Sequence, residues 1–180
     1  YWQYSRIPKA FREKLSVLHD GIDTNLIKPT KIEEIILPDG RLLRHDEEII
    51  TYVTRNFEPY RGFPTMVRAI KILLKKRPNA KIIMIGDDGV SYGGKPHNAT
   101  SWKEHMLKET KLDSERVIWL KKLPFDEYLK FLFISKVHIY LTVPFVLSWS
   151  LIEAMAAGCK IVASKTLPVE EELENNKNAL

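Results

Sequence analysis

Apolar residues in this chain recur with two alternating spacings. Phe63 to Lys76 carries Met66, Val67, Ile70, Leu73 and Leu74 on one face of a 3.6-residue repeat, which predicts a helix. Trp102 to Glu109, with Ser101 as N-cap, Phe125 to Ile134 behind Pro124, and Ser150 to Ala157 closed by Gly158 predict three more. A further helix is predicted to start near Val169, and Pro8 to Lys14 reads as helical. Between them lie short, nearly unbroken apolar runs. Ser16 to His19, Ile49 to Thr54, Lys81 to Ile85, Val117 to Leu120, Val137 to Leu141 and Lys160 to Ala163 predict strands. Residues 24 to 48 lack helical periodicity, and Pro38-Asp39-Gly40 predicts a hairpin turn there.

Strands alternating with helices of about ten residues argue for βαβ units and a parallel sheet, and continuous apolar strands argue that both sheet faces are covered. The expected fold is α/β, a doubly wound parallel sheet, over residues 49–180. Residues 1–48 are expected to supply a first strand, a connection and a hairpin-like excursion. The chain opens inside a helix pattern and stops without a closing strand, so it reads as a piece of a larger enzyme.

Composition narrows the function classes. Apolar residues make up 44% and charged residues 28% of the 180, as in an ordinary globular chain. Cys159 is the lone cysteine, which excludes an internal disulfide framework and points to a reducing, cytoplasmic setting. No apolar run approaches the ~20 residues of a membrane span, and no membrane contact is indicated. The net charge of +5 suits an anionic partner. Lys75-Lys76-Arg77 falls at a predicted helix end, where it complements the helix dipole, so nucleic acid is not expected.

Ligands in such a fold sit at the carboxyl ends of the strands. Arg55 and Arg61 bracket one loop there, and Gly62 lets it turn into a helix. Two guanidinium groups beside a helix N-terminus suit a diphosphate, although charge and spacing fit solvated loop residues equally. Gly86 to Gly94 (GDDGVSYGG) is neither a GxGxxG nor a Walker A pattern and reads as a flexible turn. Asp87 and Asp88 have no further ligand spaced to complete a metal site. Glu153 fits a capping box with Ser150, or, facing the cleft, a partner for ribose hydroxyls. Cys159 and His138 read as packed residues, as do Trp119, Phe125, Tyr128, Phe131 and Phe133; His19, at a strand end, is a candidate for a ligand contact.

These segments, in this order, resemble the C-terminal donor-binding domain of the family-four glycosyltransferases of the GT-B fold. SVLHDGIDTNLIKP is similar to the family's entry from the acceptor domain, and VTRNFEPYRGFPTMVRAI to its diphosphate-gripping loop. NAKIIMIGDDG and RVIWLKKLP resemble the next strands, and SLIEAMAAGCKIVAS resembles the helix with the second glutamate of an E-x7-E motif. The resemblance implies that Arg55 and Arg61 stabilise the leaving diphosphate, with arginine where the family usually has lysine at 61. It implies that Glu153 holds the ribose, that Gly86 and Lys121, Lys122 and Leu123 flank the base, and that amides at Ser148 and Trp149 face the phosphates. Phe145 stands where the family has the first glutamate, which helps place the donor sugar, and Ser148 where it usually has glycine.

The implied function is binding of a nucleotide-diphosphate sugar, such as a UDP- or GDP-sugar. The full-length enzyme would transfer a hexose-type sugar with retention, without a metal or other cofactor. The acceptor domain is expected to lie outside this chain, so the chain alone is expected to bind nucleotide weakly and to transfer nothing. Two other readings stand beside it: a degenerate non-catalytic binding module, on the strength of Phe145, and a receiver-like signalling domain, on the looser strength of Asp87 and Asp88.

Overall fold

The computed structural model describes residues 1–112 and 115–179. Five parallel strands build the main sheet: β3 (Ile49–Asn56), β4 (Lys81–Asp87), β5 (Val117–Leu120), β6 (Val137–Tyr140) and β7 (Lys160–Ala163), in the order β5-β4-β3-β6-β7. Ile50 pairs with Ile82 on one side and with Val137 on the other, so β3 is central. The helices between them are α3 (Phe63–Lys76), α4 (Trp102–Thr110), α5 (Phe125–Ile134), α6 (Trp149–Ala156) and the one-turn α7 (Leu167–Glu170).

Side-chain alternation along the strands feeds two cores. Ile82 and Met84 join Met66, Val67 and Ile70 of α3 on one face. Ile83 and Ile85 join Leu129 and Leu132 of α5 and Leu151 and Ala154 of α6 on the other. Burial on both faces explains why these strands read as unbroken apolar runs. The hairpin of β1 (Glu34–Ile36) and β2 (Leu42–Arg44) turns at Gly40, at φ +85°, and buries Ile35 and Leu43 in the α5 and α6 core. Ser101 caps α4, its hydroxyl accepting from the Glu104 amide at 3.1 Å.

The amino-terminal expectations need correction. Ser16–His19 is not a strand; it pairs with no strand among the described residues, and Leu18 is 93% exposed. The segment docks on neither edge strand of the sheet, β5 or β7, so no ladder fixes its backbone as a strand. The helical reading around Pro8 shrinks to α2 (Lys9–Arg12), preceded by α1 (Trp2–Arg6). Glu171 to Asn175 leaves α7 in turns and does not continue a helix.

The chain moves outward from β3 through β4 to β5, then returns to place β6 on β3's other side. Between β3 and β6 the connections therefore leave in opposite directions, and a crevice opens at their carboxyl ends. The two connections touch. The Val143 amide donates to the Tyr60 carbonyl at 3.0 Å. At Gly62, φ is +67° and a Cβ would stand 2.4 Å from Leu141 Cβ, so only glycine fits the contact.

Candidate functional site

A cavity of about 910 Å³ occupies this crevice. Arg55, Asn56 and Arg61 line it from the β3 side, and Gly86, Asp87 and Tyr92 from the segment after β4. Lys122, Leu123 and Phe125 approach from the β5–α5 connection, and Ser148, Trp149, Ser150 and Glu153 from α6 and its entry. Eight of the ten residues that the resemblance assigns to the site thus share one space: Arg55, Arg61, Gly86, Lys122, Leu123, Ser148, Trp149 and Glu153. Lys121 and Phe145 are not among its lining residues.

Arg61 ends a one-turn 3-10 helix (Pro59–Arg61) that leads into α3 and is only 8% exposed. Its Nη1 donates to Tyr140 Oη at 2.9 Å, to Val146 O at 3.1 Å and to Thr142 Oγ1 at 3.3 Å. Its guanidinium carbon lies 5.3 Å from the Phe145 ring centre and 5.8 Å from that of Tyr92. All of these partners are neutral, and among the described residues Arg61 forms no ion pair. The cation is therefore held in place but not compensated. Arg55 lies in β3 itself, where a loop was expected, and its exposed side chain reaches the same cavity.

Glu153 settles between the two readings of its role in the fold. Ser148, not Ser150, is the N-cap of α6, and it makes no side-chain cap hydrogen bond, so the capping box does not form. Glu153 is 6% exposed and its Oε2 accepts from Tyr128 Oη at 2.8 Å. Burial holds its carboxyl above the ordinary carboxylate range, partly offset by the Tyr128 hydrogen bond. The Ser148 amide, singled out as a ligand donor, already donates to Tyr140 Oη at 2.9 Å. Gly86 is fixed by crowding: a Cβ there would meet the Thr54 carbonyl oxygen at 2.6 Å.

Matching against family models assigns residues 36–180 to "Glycosyl transferases group 1". The chain belongs to the group 1 glycosyl transferases. The match spans all five strands of the main sheet and every residue lining the cavity. None of the curated proteins compared is a significant match. Solved structures share the fold. HepE of Anabaena, in complex with UDP and glucose, superposes with a TM-score of 0.68 at 19% identity, over 94% of this chain and 43% of its own. The C-terminal domain of LpcC from Francisella tularensis gives 0.65 at 17% identity, over 88% and 78%. Sucrose-phosphate synthase from Thermosynechococcus elongatus gives 0.58 at 24% identity, over 77% of this chain and 33% of its own. The glycosyl transferase chain thus spans about a third of that synthase and under half of HepE.

Several residues of this glycosyl transferase domain were not legible as site residues. Tyr92, Tyr128 and Tyr140 lie one each on a loop, a helix and a strand, and only the fold brings their hydroxyls or rings to Glu153 and Arg61. Glu58 carries no signal in its local sequence, yet only 1% of it is exposed. Other candidates fall away from the cavity. His19 sits 3.4 Å from Glu172 and lines a cavity of about 560 Å³ that shares Val146, Leu147 and Trp149 with the crevice. The Cys159 thiol donates to Leu132 O at 3.2 Å, and burial pushes it up to about 12. His138 is fully buried, with Nδ1 2.9 Å from Thr51 Oγ1. Asp88 faces Lys103 at 4.0 Å, and no cluster of three or more His, Cys, Asp or Glu suited to a metal occurs among the described residues. No helix among them is long and apolar enough to cross a membrane.

Proposed function

We propose that this domain binds the donor of a retaining glycosyltransferase, a nucleoside-diphosphate sugar, in the crevice between β3 and β6. The observation that carries the reading is Arg61: a buried guanidinium with only neutral partners, on the wall of a cavity that also holds Arg55. An uncompensated buried cation is costly, and a bound anion offsets that cost. The diphosphate would lie between Arg55, Arg61 and the Trp149 amide at the start of α6, where the helix dipole adds positive potential. Glu153 would accept from the ribose hydroxyls, with Tyr128 fixing its orientation. The base would lie by Gly86, Lys122 and Leu123.

In the transfer step, the bond between the anomeric carbon and the diphosphate oxygen breaks, a bond from that carbon to an acceptor hydroxyl oxygen forms, and the hydroxyl's proton goes to the departing phosphate. Negative charge collects on the departing phosphate. Arg55 and Arg61 stabilise that charge, the part a divalent metal plays elsewhere, so the reading is metal-independent. Transfer of a hexose-type sugar to an acceptor is proposed for the full-length enzyme, which would supply the acceptor-binding domain. That HepE was solved with UDP and glucose favours UDP as the first nucleotide to try. Calorimetric titration of the chain with UDP, GDP and ADP tests the reading and names the base. Saturable binding of one of them, weakened by Arg55→Ala and Glu153→Ala, supports it; binding indifferent to both substitutions sinks it.

One observation favours a second reading, a binding module without transferase activity. Phe145 packs against Tyr92 and Tyr60 at 4.8 and 5.7 Å between ring centres, in the place the resemblance gives to a sugar-positioning carboxylate. Phe145→Glu in the full-length protein separates the two readings. Gain of transfer in an otherwise inactive protein favours the module, and loss of existing transfer favours the enzyme.

A further inference from the structure

The glycine-bearing segment after β4 is not a free turn. It is held by a carboxylate from the neighbouring connection. Glu58 Oε2 accepts from three successive amides, Ser91 at 3.3 Å, Tyr92 at 3.0 Å and Gly93 at 3.2 Å. Consecutive amides that converge on one anion form a nest, a motif that elsewhere binds phosphate. Here the nest is filled from within the chain, so it does not compete for a ligand's phosphates. The same two segments are joined again by Asn56 Nδ2 donating to Ser91 Oγ at 2.6 Å and by the Phe57 amide donating to Asp87 O at 2.8 Å.

The arrangement is expensive in isolation. Glu58 is 1% exposed and its Oε1 is buried without a hydrogen-bond partner. A buried carboxylate oxygen left unpaired costs free energy that closing a surface loop does not require. What the nest holds gives the reason. Its middle residue is Tyr92, and the Tyr92 ring lines the cavity against the Arg61 guanidinium. Gly93 and Gly94 follow directly, so without the carboxylate this stretch would be the least restrained part of the wall.

We propose that Glu58 is a positioning residue for donor binding: by filling the nest of residues 91–93, it fixes Tyr92 as the wall that holds Arg61 toward the diphosphate. This rests on the assignment of the cavity to a nucleoside-diphosphate sugar. Glu58 touches no ligand in this scheme; it acts through Tyr92. The carboxylate is needed for its acceptor oxygen. A glutamine can place its carbonyl oxygen on the same three amides.

The test is a double-mutant cycle read by calorimetric titration of the 180-residue chain with UDP. Glu58→Ala is expected to weaken UDP binding about tenfold, Tyr92→Ala by a similar factor, and the two together by no more than either alone, as for groups acting in series. Glu58→Gln is expected to recover affinity to within about threefold of the parent. Amide exchange at 91–93 should quicken in Glu58→Ala while the strands stay protected. If that variant does not fold, Glu58→Asp, too short to span the nest, takes its place in the cycle. Losses that multiply in the double variant, or unchanged affinity in Glu58→Ala, overturn the proposal. Arg61→Ala separates the two levels. If it binds UDP like the parent, the cavity assignment itself fails. If it loses UDP while Glu58→Ala keeps it, only the role of Glu58 fails.

Discussion

Tyr140 Oη accepts a hydrogen bond from Arg61 Nη1 and a second from the Ser148 amide, each at 2.9 Å. One hydroxyl on β6 thereby joins the buried cation to the entry of α6. Tyr140 is 2% exposed; without its hydroxyl the Ser148 amide loses its partner, while Arg61 Nη1 keeps Thr142 Oγ1 and Val146 O. Tyr140→Phe is expected to lower stability by about 0.5–1.5 kcal/mol, the net worth of a lost hydrogen bond whose donors keep other partners or face the cavity. It is also expected to weaken UDP binding several-fold. Thermal unfolding and calorimetry on the same preparation check both. A loss of stability without a loss of affinity would uncouple the tether from the site.

Glu153 is a buried carboxylate whose burial works against stability at neutral pH. Its folded carboxyl titrates above the ordinary range because burial disfavours the anion. The folded state therefore holds its proton to higher pH than the unfolded state. Stability from this group is present at low pH and is lost as pH rises through the folded value. At neutral pH, Glu153→Gln is expected to raise the melting temperature by a few degrees, since about 1 kcal/mol moves it roughly 2–4 °C in a chain of this size. The advantage should vanish below about pH 4, and UDP affinity should fall. Melting curves across pH for both proteins decide the matter.

His138 has the opposite sign. Burial brings its imidazole down to about 4, well below the ordinary value of 6.5. The unfolded state takes up a proton that the folded state refuses. Stability is complete above about pH 6.5 and falls as pH drops toward 4, with a slope approaching about 1.4 kcal/mol per pH unit. His138→Asn, which can still reach Thr51 Oγ1, should flatten that part of the profile. An unchanged slope between pH 6.5 and 4 would place the acid sensitivity elsewhere.

The parts of this architecture that depend on local pattern were open to reading. Helices α3 and α5 and strands β5 and β7 begin and end where their apolar spacing and Pro124 placed them, while β4 runs through Gly86 to Asp87, two residues beyond the apolar run. Element order pointed to the strands' carboxyl ends as the place of a ligand, while the individual cleft residues came from the resemblance of their segments to a known family. What could not be read depends on contacts across the sheet. Tyr128 looks like a core aromatic until α5 packs beside α6 and its hydroxyl meets Glu153. Glu58 looks like a solvated loop residue until the segment after β4 folds over it. Ser16–His19 fails in the other direction: its four residues suit a strand, but a strand needs a partner, and this segment pairs with none among the described residues.

The central claim is that the buried Arg61 cation exists to meet a diphosphate. The most direct measurement is the affinity of the chain for UDP, UMP and uridine, with and without Arg61→Ala. The account predicts that UDP binds at least tenfold more tightly than UMP, and that Arg61→Ala brings UDP down to the UMP level while uridine is unaffected. Equal UDP affinity in the parent and in a folded Arg61→Ala variant would contradict it.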